Sequence, residues 1–317
     1  MNPDTPKPTA RPVDYLLLLS LATLWGASYS LIKVGVETIP PITFIAGRTV
    51  IAGALLLAVM RVRGIVMPRD LATWGRFLFQ ALMNSVLPFT LIAWAEQTID
   101  AGLAAILNSM TPIFTFLLTW LLMRREPARL GKLAGVLIGF AGVTLIVGVG
   151  ALEGLGRNVM AELAVVAATI CYAGAAIFGR TFSNLSPLAP AAGSLVCGGV
   201  VLVPVSLIVD RPWTLDPSAP SLAALVGLAV CSTALAFVIF FSLLPRLGSV
   251  GTTAQAYLRA PIGVAIGVVF LGEQLVWSAG LGLLLVLVGV ASITTQRLSS
   301  IRFLWRGRRA EAAPIEQ

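Results

Sequence analysis

Long apolar runs and short polar interruptions alternate along the whole chain. The runs lie at 15–34, 42–60, 71–95, 101–123, 131–150, 160–182, 188–209, 219–244, 250–271 and 275–296. A helix that crosses a bilayer core needs about 20 apolar residues, since each residue advances it by about 1.5 Å. Every run reaches about that length, so the pattern predicts ten transmembrane helices in an all-α integral membrane protein. The runs 71–95 and 219–244 exceed what one span needs, which predicts tilt or kinks. No small-residue cleavage site follows a short apolar core near the start, so the first run reads as a retained helix. Residues 1–14 read as a Pro-rich polar tail and 297–317 as a basic one.

Composition strengthens this picture. Of 317 residues, 57% are hydrophobic and 11% charged, whereas a soluble domain carries roughly 25% charge. Ten spans leave little chain for a catalytic domain outside the membrane. The sequence holds no His, which excludes His-based triads and imidazole metal sites. No enzyme activity, metal or cofactor is implied. Cys171, Cys197 and Cys231 lie far apart inside apolar runs and read as packing residues.

A net charge of +8 would suggest nucleic acid in a soluble protein, but here the positions argue for topology and against such a partner. With the N-terminus in the cytoplasm, the inner loops hold most of the cations. These are Lys7, Arg11, Arg61, Arg63, Arg69, Arg76, Arg124, Arg125, Arg129, Lys132, Arg180, Arg246 and the arginines of the C-terminal tail. The outer loops hold acids: Glu37, Glu96, Asp100, Glu153, Glu162, Asp210, Asp216 and Glu273. Both termini are therefore expected in the cytoplasm.

The two halves resemble each other at an offset of 147 residues. Glu126 falls on Glu273, Gly135 on Gly282, Gly142 on Gly289, Trp25 on Tyr172 and Lys33 on Arg180. Pro112 meets Pro261 only after a two-residue slip. Five spans per copy is an odd number, so the second copy, 151–296, enters the membrane inverted relative to the first, 15–150. Inverted repeats of this kind underlie alternating access, with a site near the midplane.

The segments TLWGASYSLIKVG, PPITFIAGRTVIAGALLL and LNSMTPIFTFLLTWLLMRREP, with the later echo of the last, resemble the EamA branch of the drug/metabolite transporter superfamily. The resemblance runs from about 15 to 296. It implies ten spans in two five-helix repeats. It also implies secondary export of small metabolites, such as amino acids or related amphipathic compounds, across the bacterial inner membrane. A channel-like facilitator and a multidrug efflux protein are the alternatives. The stretch AYLRAPIGVA departs from the family pattern, because an Arg stands two residues before the proline.

That Arg259 lies near mid-depth of its span, and ionisable groups there mark function by default. It shares a helical face with Gln255 and Thr252. Its fork suits a substrate carboxylate or phosphate, or alternatively carbonyls left open around Pro261. Arg48, nearer the outer face, reads as structural and free to snorkel toward the interface. Gln80, Asn84 and Asn108 must face inward, because an amide facing lipid goes unsatisfied. They either touch substrate or bridge helices. Trp25, Tyr29, Tyr172 and Phe237 are candidates to line an amphipathic pocket. Pro88, Pro112 and Pro261 are candidate kinks for gating. No span holds a central carboxylate, so a neutral, zwitterionic or anionic substrate is expected. A small-residue stripe (Gly131, Gly135, Gly139) fits close contact within the bundle or between two copies in a homodimer. Lipid and a small-molecule substrate are the other expected partners.

Overall fold

The computed structural model describes residues 11–95, 98–99, 101–122, 130–148, 152–153, 155–262 and 277–295. All regular structure among them is helical. In chain order the helices are α1 (Pro12–Gly26), α2 (Ser28–Gly35), α3 (Pro41–Val62), α4 (Leu71–Ala81), α5 (Leu87–Ala95), α6 (Ala101–Asn108), α7 (Thr111–Leu122) and α8 (Leu130–Val147). There follow α9 (Val159–Gly179), α10 (Leu188–Val209), α11 (Ala219–Ala229), α12 (Ala236–Thr253), α13 (255–262) and α14 (Trp277–Thr295). Glu126, Glu273 and residues 1–10, 263–276 and 296–317 lie outside the described residues, while Pro12–Asp14, expected as part of the N-terminal tail, form the first turn of α1.

Among the described residues, five helical stretches are long and apolar enough to cross a membrane: Pro41–Val62, Leu71–Ala95, Val159–Phe182, Leu188–Val209 and Ala219–Thr253. Four shorter apolar helices accompany them. The sequence signals for their ends are local. Pro12 and Pro41 open helices at positions that need no N–H donor. Asp70 caps α4 by accepting from the Thr73 N–H at 2.7 Å, and Thr73 holds its carboxyl below the usual range. Gly248, at φ 74° and ψ 174°, turns the chain sharply inside α12. A side chain is strained at that φ.

The bundle is inside out relative to a soluble protein. Leu122, Val200, Ile208, Leu284 and Trp277 are exposed on its outer faces, while Thr49, Gln80, Asn84, Thr115, Thr169 and Gln255 are buried. Many buried hydroxyls donate to a carbonyl one turn back, as Thr49 does to Ile45 (3.1 Å) and Thr115 to Thr111 (2.8 Å). That satisfies them without a second helix.

Packing pairs elements from opposite halves. α3 lies on α10, α8 on α14, α5 on α9, α2 on α11 and α1 on α12. The α8–α14 contact decides how the glycine stripe is used. A Cβ on Gly142 would lie 2.7 Å from the Gly282 carbonyl oxygen, and one on Gly289 would lie 2.6 Å from the Gly139 nitrogen. These glycines serve an approach of backbones within the bundle. Tyr257 fills the groove over Gly139, fully buried, and its hydroxyl donates to the Val136 carbonyl at 2.9 Å.

Both long runs that predicted kinks contain a π turn, Leu82–Val86 in one and Val230–Leu235 in the other. A π turn widens the helix and disturbs the carbonyl pairing of ordinary α-helix. The first is followed at once by Pro88, and the second frees the Ser232 carbonyl for partners elsewhere.

At one end of the bundle the chain is closed by aromatic and charged contacts. Asp14 accepts from the Arg246 guanidinium at 2.9 Å, and Phe77, Phe178, Phe182 and Phe241 stack in sequence around Phe182. Arg76 covers the Phe182 ring at 4.9 Å and donates to the Thr181 carbonyl at 2.8 Å.

Candidate functional site

Between the two halves lies a cavity of about 890 Å³, counting the space at its mouth. It runs from the centre toward Val36 and Pro41, the end opposite the Asp14–Arg246 pair. Its apolar wall includes Ile32, Phe44, Ile45, Phe89, Ile92, Leu228 and Phe240. Its polar groups come from Ser28, Arg48, Asn84, Asn108, Thr111, Thr253, Gln255 and Arg259. No Asp or Glu lines it among the described residues.

Trp25 organises the centre. It sits just before the break between α1 and α2, where Ala27 interrupts the first run. Its Nε1 donates to the Ser232 carbonyl at 3.0 Å, the group freed by the second π turn. Phe240 stacks on the ring at a centroid distance of 5.6 Å. The Arg259 guanidinium lies over the same ring at 5.3 Å, and its Nε donates to Gln255 Oε1 at 3.1 Å. Gly26 faces the Arg259 backbone, and a Cβ there would sit in ordinary van der Waals contact at 3.8 Å.

Arg48 contradicts the snorkelling expectation. It is 3% exposed and turns inward. Its Nε donates to Thr233 Oγ1 at 2.5 Å and its Nη2 to the Ser232 carbonyl at 3.4 Å. Its guanidinium lies 3.9 Å from the Phe89 centroid. The π turn offers it a hydroxyl and a carbonyl inside the bundle. The widening of a helix by one residue leaves no mark in the amino-acid pattern, so this partner could not be read in advance.

The cavity brings together Arg259, Gln255, Trp25, Asn84, Asn108, Tyr172 and Phe237 from both halves. Gln80 takes the second of its two alternatives, the bridge between helices. It is fully buried away from the cavity, and its Nε2 donates to the Ala175 carbonyl at 3.3 Å, so it bridges α4 and α9. The π turn starting at Leu82 breaks the register that would have put Gln80 and Asn84 on one face. Thr252 likewise lies off the cavity, and Thr253 lines it instead, because the helix is interrupted at Ala254. The Tyr29 side chain lies outside the described residues. Pro112 sits in the first turn of α7, after a break at Ser109–Met110, so it starts a helix and does not kink one. Pro88 lies inside α5, buried, and Pro261 lies in α13. Phe89, Ser28 and Thr253 are lining residues that the sequence pattern did not single out.

Asn84 is the most exacting part of the lining. It is 2% exposed, and its amide nitrogen has no hydrogen-bond partner. An unmet buried donor costs about 1–3 kcal/mol.

A family profile described as the EamA-like transporter family matches residues 13–148 and, a second time, residues 159–295. The chain belongs to that family. This EamA-like transporter is a multi-pass membrane protein with two repeats. It is 27% identical to the uncharacterized transporter YvbV of Bacillus subtilis, over 89% of this chain and 91% of that one. It is 26% identical to the uncharacterized inner membrane transporter YedA of Escherichia coli strain K12, over 87% and 89% of the two chains. It is 24% identical to protein PecM of Dickeya dadantii, over 93% and 94%. One solved structure, described only as a crystal structure of a protein, matches the EamA-like transporter with a TM-score of 0.74 at 18% identity. That match covers 90% of this chain and 99% of the other and shows a shared fold.

Proposed function

We propose that this EamA-like protein is a secondary exporter of small metabolites, such as amino acids or related amphipathic compounds, working by alternating access. The single observation that carries the reading is the central cavity, walled by both repeats and lined with buried polar groups inside an apolar exterior. A site of this kind, between two similar bundles, can be exposed to either face by rocking one bundle on the other.

Ten spans in two inverted five-helix repeats, 15–150 and 151–296, fit the pairing of matched elements. The second spans of the halves, α3 and α10, pack together, as do the last, α8 and α14. Near-equivalent π turns in the third spans support the same symmetry. With both termini in the cytoplasm of a bacterial cell, the Asp14–Arg246 closure falls on the inner side and the cavity reaches outward. The arrangement then corresponds to an outward-facing state of an inner-membrane exporter.

Arg259 and Gln255, held against Trp25, are the polar contacts proposed for substrate, together with Asn108 and Tyr172. The test is counterflow with purified protein in proteoliposomes, over a panel of amino acids and related acids. Saturable counterflow of at least one compound is expected; flux that never saturates would mark a channel. Arg259→Leu is expected to cut the exchange of a transported compound about ten-fold, equivalent to roughly 1.4 kcal/mol of lost interaction. Unchanged exchange in that variant removes Arg259 from the site.

A further inference from the structure

Among the buried side-chain atoms of the described residues that have no hydrogen-bond partner, Asn84 Nδ2 stands apart. The others are Gln80 Oε1, Ser85 Oγ, Thr119 Oγ1 and Thr252 Oγ1, and none of those residues lines the central cavity, whereas Asn84 does. The π turn that carries Asn84 is followed by Phe89, whose ring lies under the Arg48 guanidinium. Neither hydrogen bond of Arg48 uses its Nη1.

Four other donors in the wall are already directed elsewhere. Ser28 donates to the Trp25 carbonyl (2.6 Å), Thr111 to the Asn108 carbonyl (2.7 Å) and Thr253 to the Ser249 carbonyl (3.0 Å). Trp25 donates to Ser232. The wall therefore offers an unmet amide donor and two guanidiniums, of which Arg48 is the fully buried one, with no lining carboxylate among the described residues to balance the charge. A cation in low-dielectric surroundings strongly favours an anion nearby and disfavours a second cation.

We propose that the cavity takes a small organic acid with an apolar body, whose carboxylate is bound by Arg48 and Asn84. The body lies against Phe89, Trp25, Phe237 and Phe240. This rests on the reading of the cavity as the substrate chamber. Arg48 thereby gains a second task beyond holding the π turn Val230–Leu235. Its fork is fixed in advance by Thr233 and by the Phe89 ring, so little side-chain freedom is lost when a carboxylate arrives. Cationic compounds of the same shape are excluded by charge.

Three probes share an aromatic body and differ in their head group: phenylacetate, phenylacetamide and phenethylammonium. Their binding to the purified full-length protein is measured by equilibrium dialysis, without any flux. Wild-type protein is expected to bind phenylacetate about ten-fold tighter than the other two. Asn84→Asp keeps the shape and adds a negative charge, so it is expected to weaken phenylacetate about ten-fold and to rank phenethylammonium first. A purely structural Asn84 would not reverse that order. Asn84→Leu serves as a second variant, expected to weaken phenylacetate alone, and Arg48→Lys is expected to bind it more weakly while keeping the order of the three.

The proposal is overturned if wild-type protein does not rank phenylacetate first, or if both Asn84 variants keep wild-type affinities. Failure of the transport reading looks different: phenylacetate then binds with the expected order but shows no counterflow in proteoliposomes.

Discussion

Gly289→Val is expected to prevent stable assembly of the bundle. The α8–α14 contact is the most extensive among the described residues. At its centre a Cβ on Gly289 would lie 2.6 Å from the Gly139 nitrogen and 2.7 Å from the Gly135 carbonyl oxygen. These neighbours are backbone atoms, which cannot rotate aside as a side-chain tip can. The two helices must separate, and the loss spreads to Tyr257, which is wedged over Gly139 with its hydroxyl on the Val136 carbonyl. Without a hydrophobic drive between helices in lipid, close packing of this kind is what holds them together. Overpacking costs typically 1–3 kcal/mol, and more where backbone must move. The check is the fraction of protein that stays monodisperse on size exclusion after heating. The midpoint is expected to fall by about 10 °C or more, or the protein to aggregate on extraction. Gly75→Ala is the contrast. Nothing lies within 4 Å of its added methyl in α4, so it is expected to be neutral or to stabilise by up to about 1 kcal/mol. Equal tolerance of both changes would sink this account of the glycine stripe.

Tying the Asp14 end shut is expected to stop turnover. Asp14 on α1 and Arg246 on α12 meet at 2.9 Å across the closed end. Asp14 is also fixed to its own helix start, accepting from the Arg11 N–H at 2.9 Å, so the pair joins two firmly placed segments. If the halves rock, this contact must part once per cycle. The experiment places Asp14→Cys and Arg246→Cys in a background with Cys171, Cys197 and Cys231 replaced by alanine, and joins them with a short cleavable thiol cross-linker. Counterflow is expected to fall about ten-fold or more on cross-linking and to return on cleavage, because only one of two required states remains populated. Cross-linked protein that exchanges substrate at the unlinked rate would show that this end does not gate the path.

Much of the architecture was legible in the chain because lipid imposes a simple rule. Backbone polar groups inside a bilayer must be met by the protein, most directly within their own helix, so span and apolar run nearly coincide. The runs at 42–60 and 188–209 closely match α3 and α10. Each of the over-long runs 71–95 and 219–244 contains a π turn. Inward placement of Asn84, Asn108 and Gln255 followed from the cost of an amide facing lipid. The partners of those groups were not legible. Gln80 and Asn84 are four residues apart, yet one bridges to Ala175 and the other reaches the cavity. Thr252 and Thr253 exchanged roles through a single interruption at Ala254.

The amino-acid sequence alone determined a helical membrane protein, the similarity of its halves and the residue types left to face its interior. Hydropathy and charge act locally along the chain and survive any rearrangement of the helices. The tertiary structure decided that the glycine stripe joins α8 to α14, that Arg48 points inward to a π turn, and that two guanidiniums share one cavity free of carboxylates among the described residues. Those outcomes depend on helix register, and a single added residue in a turn rotates everything after it by about 100°.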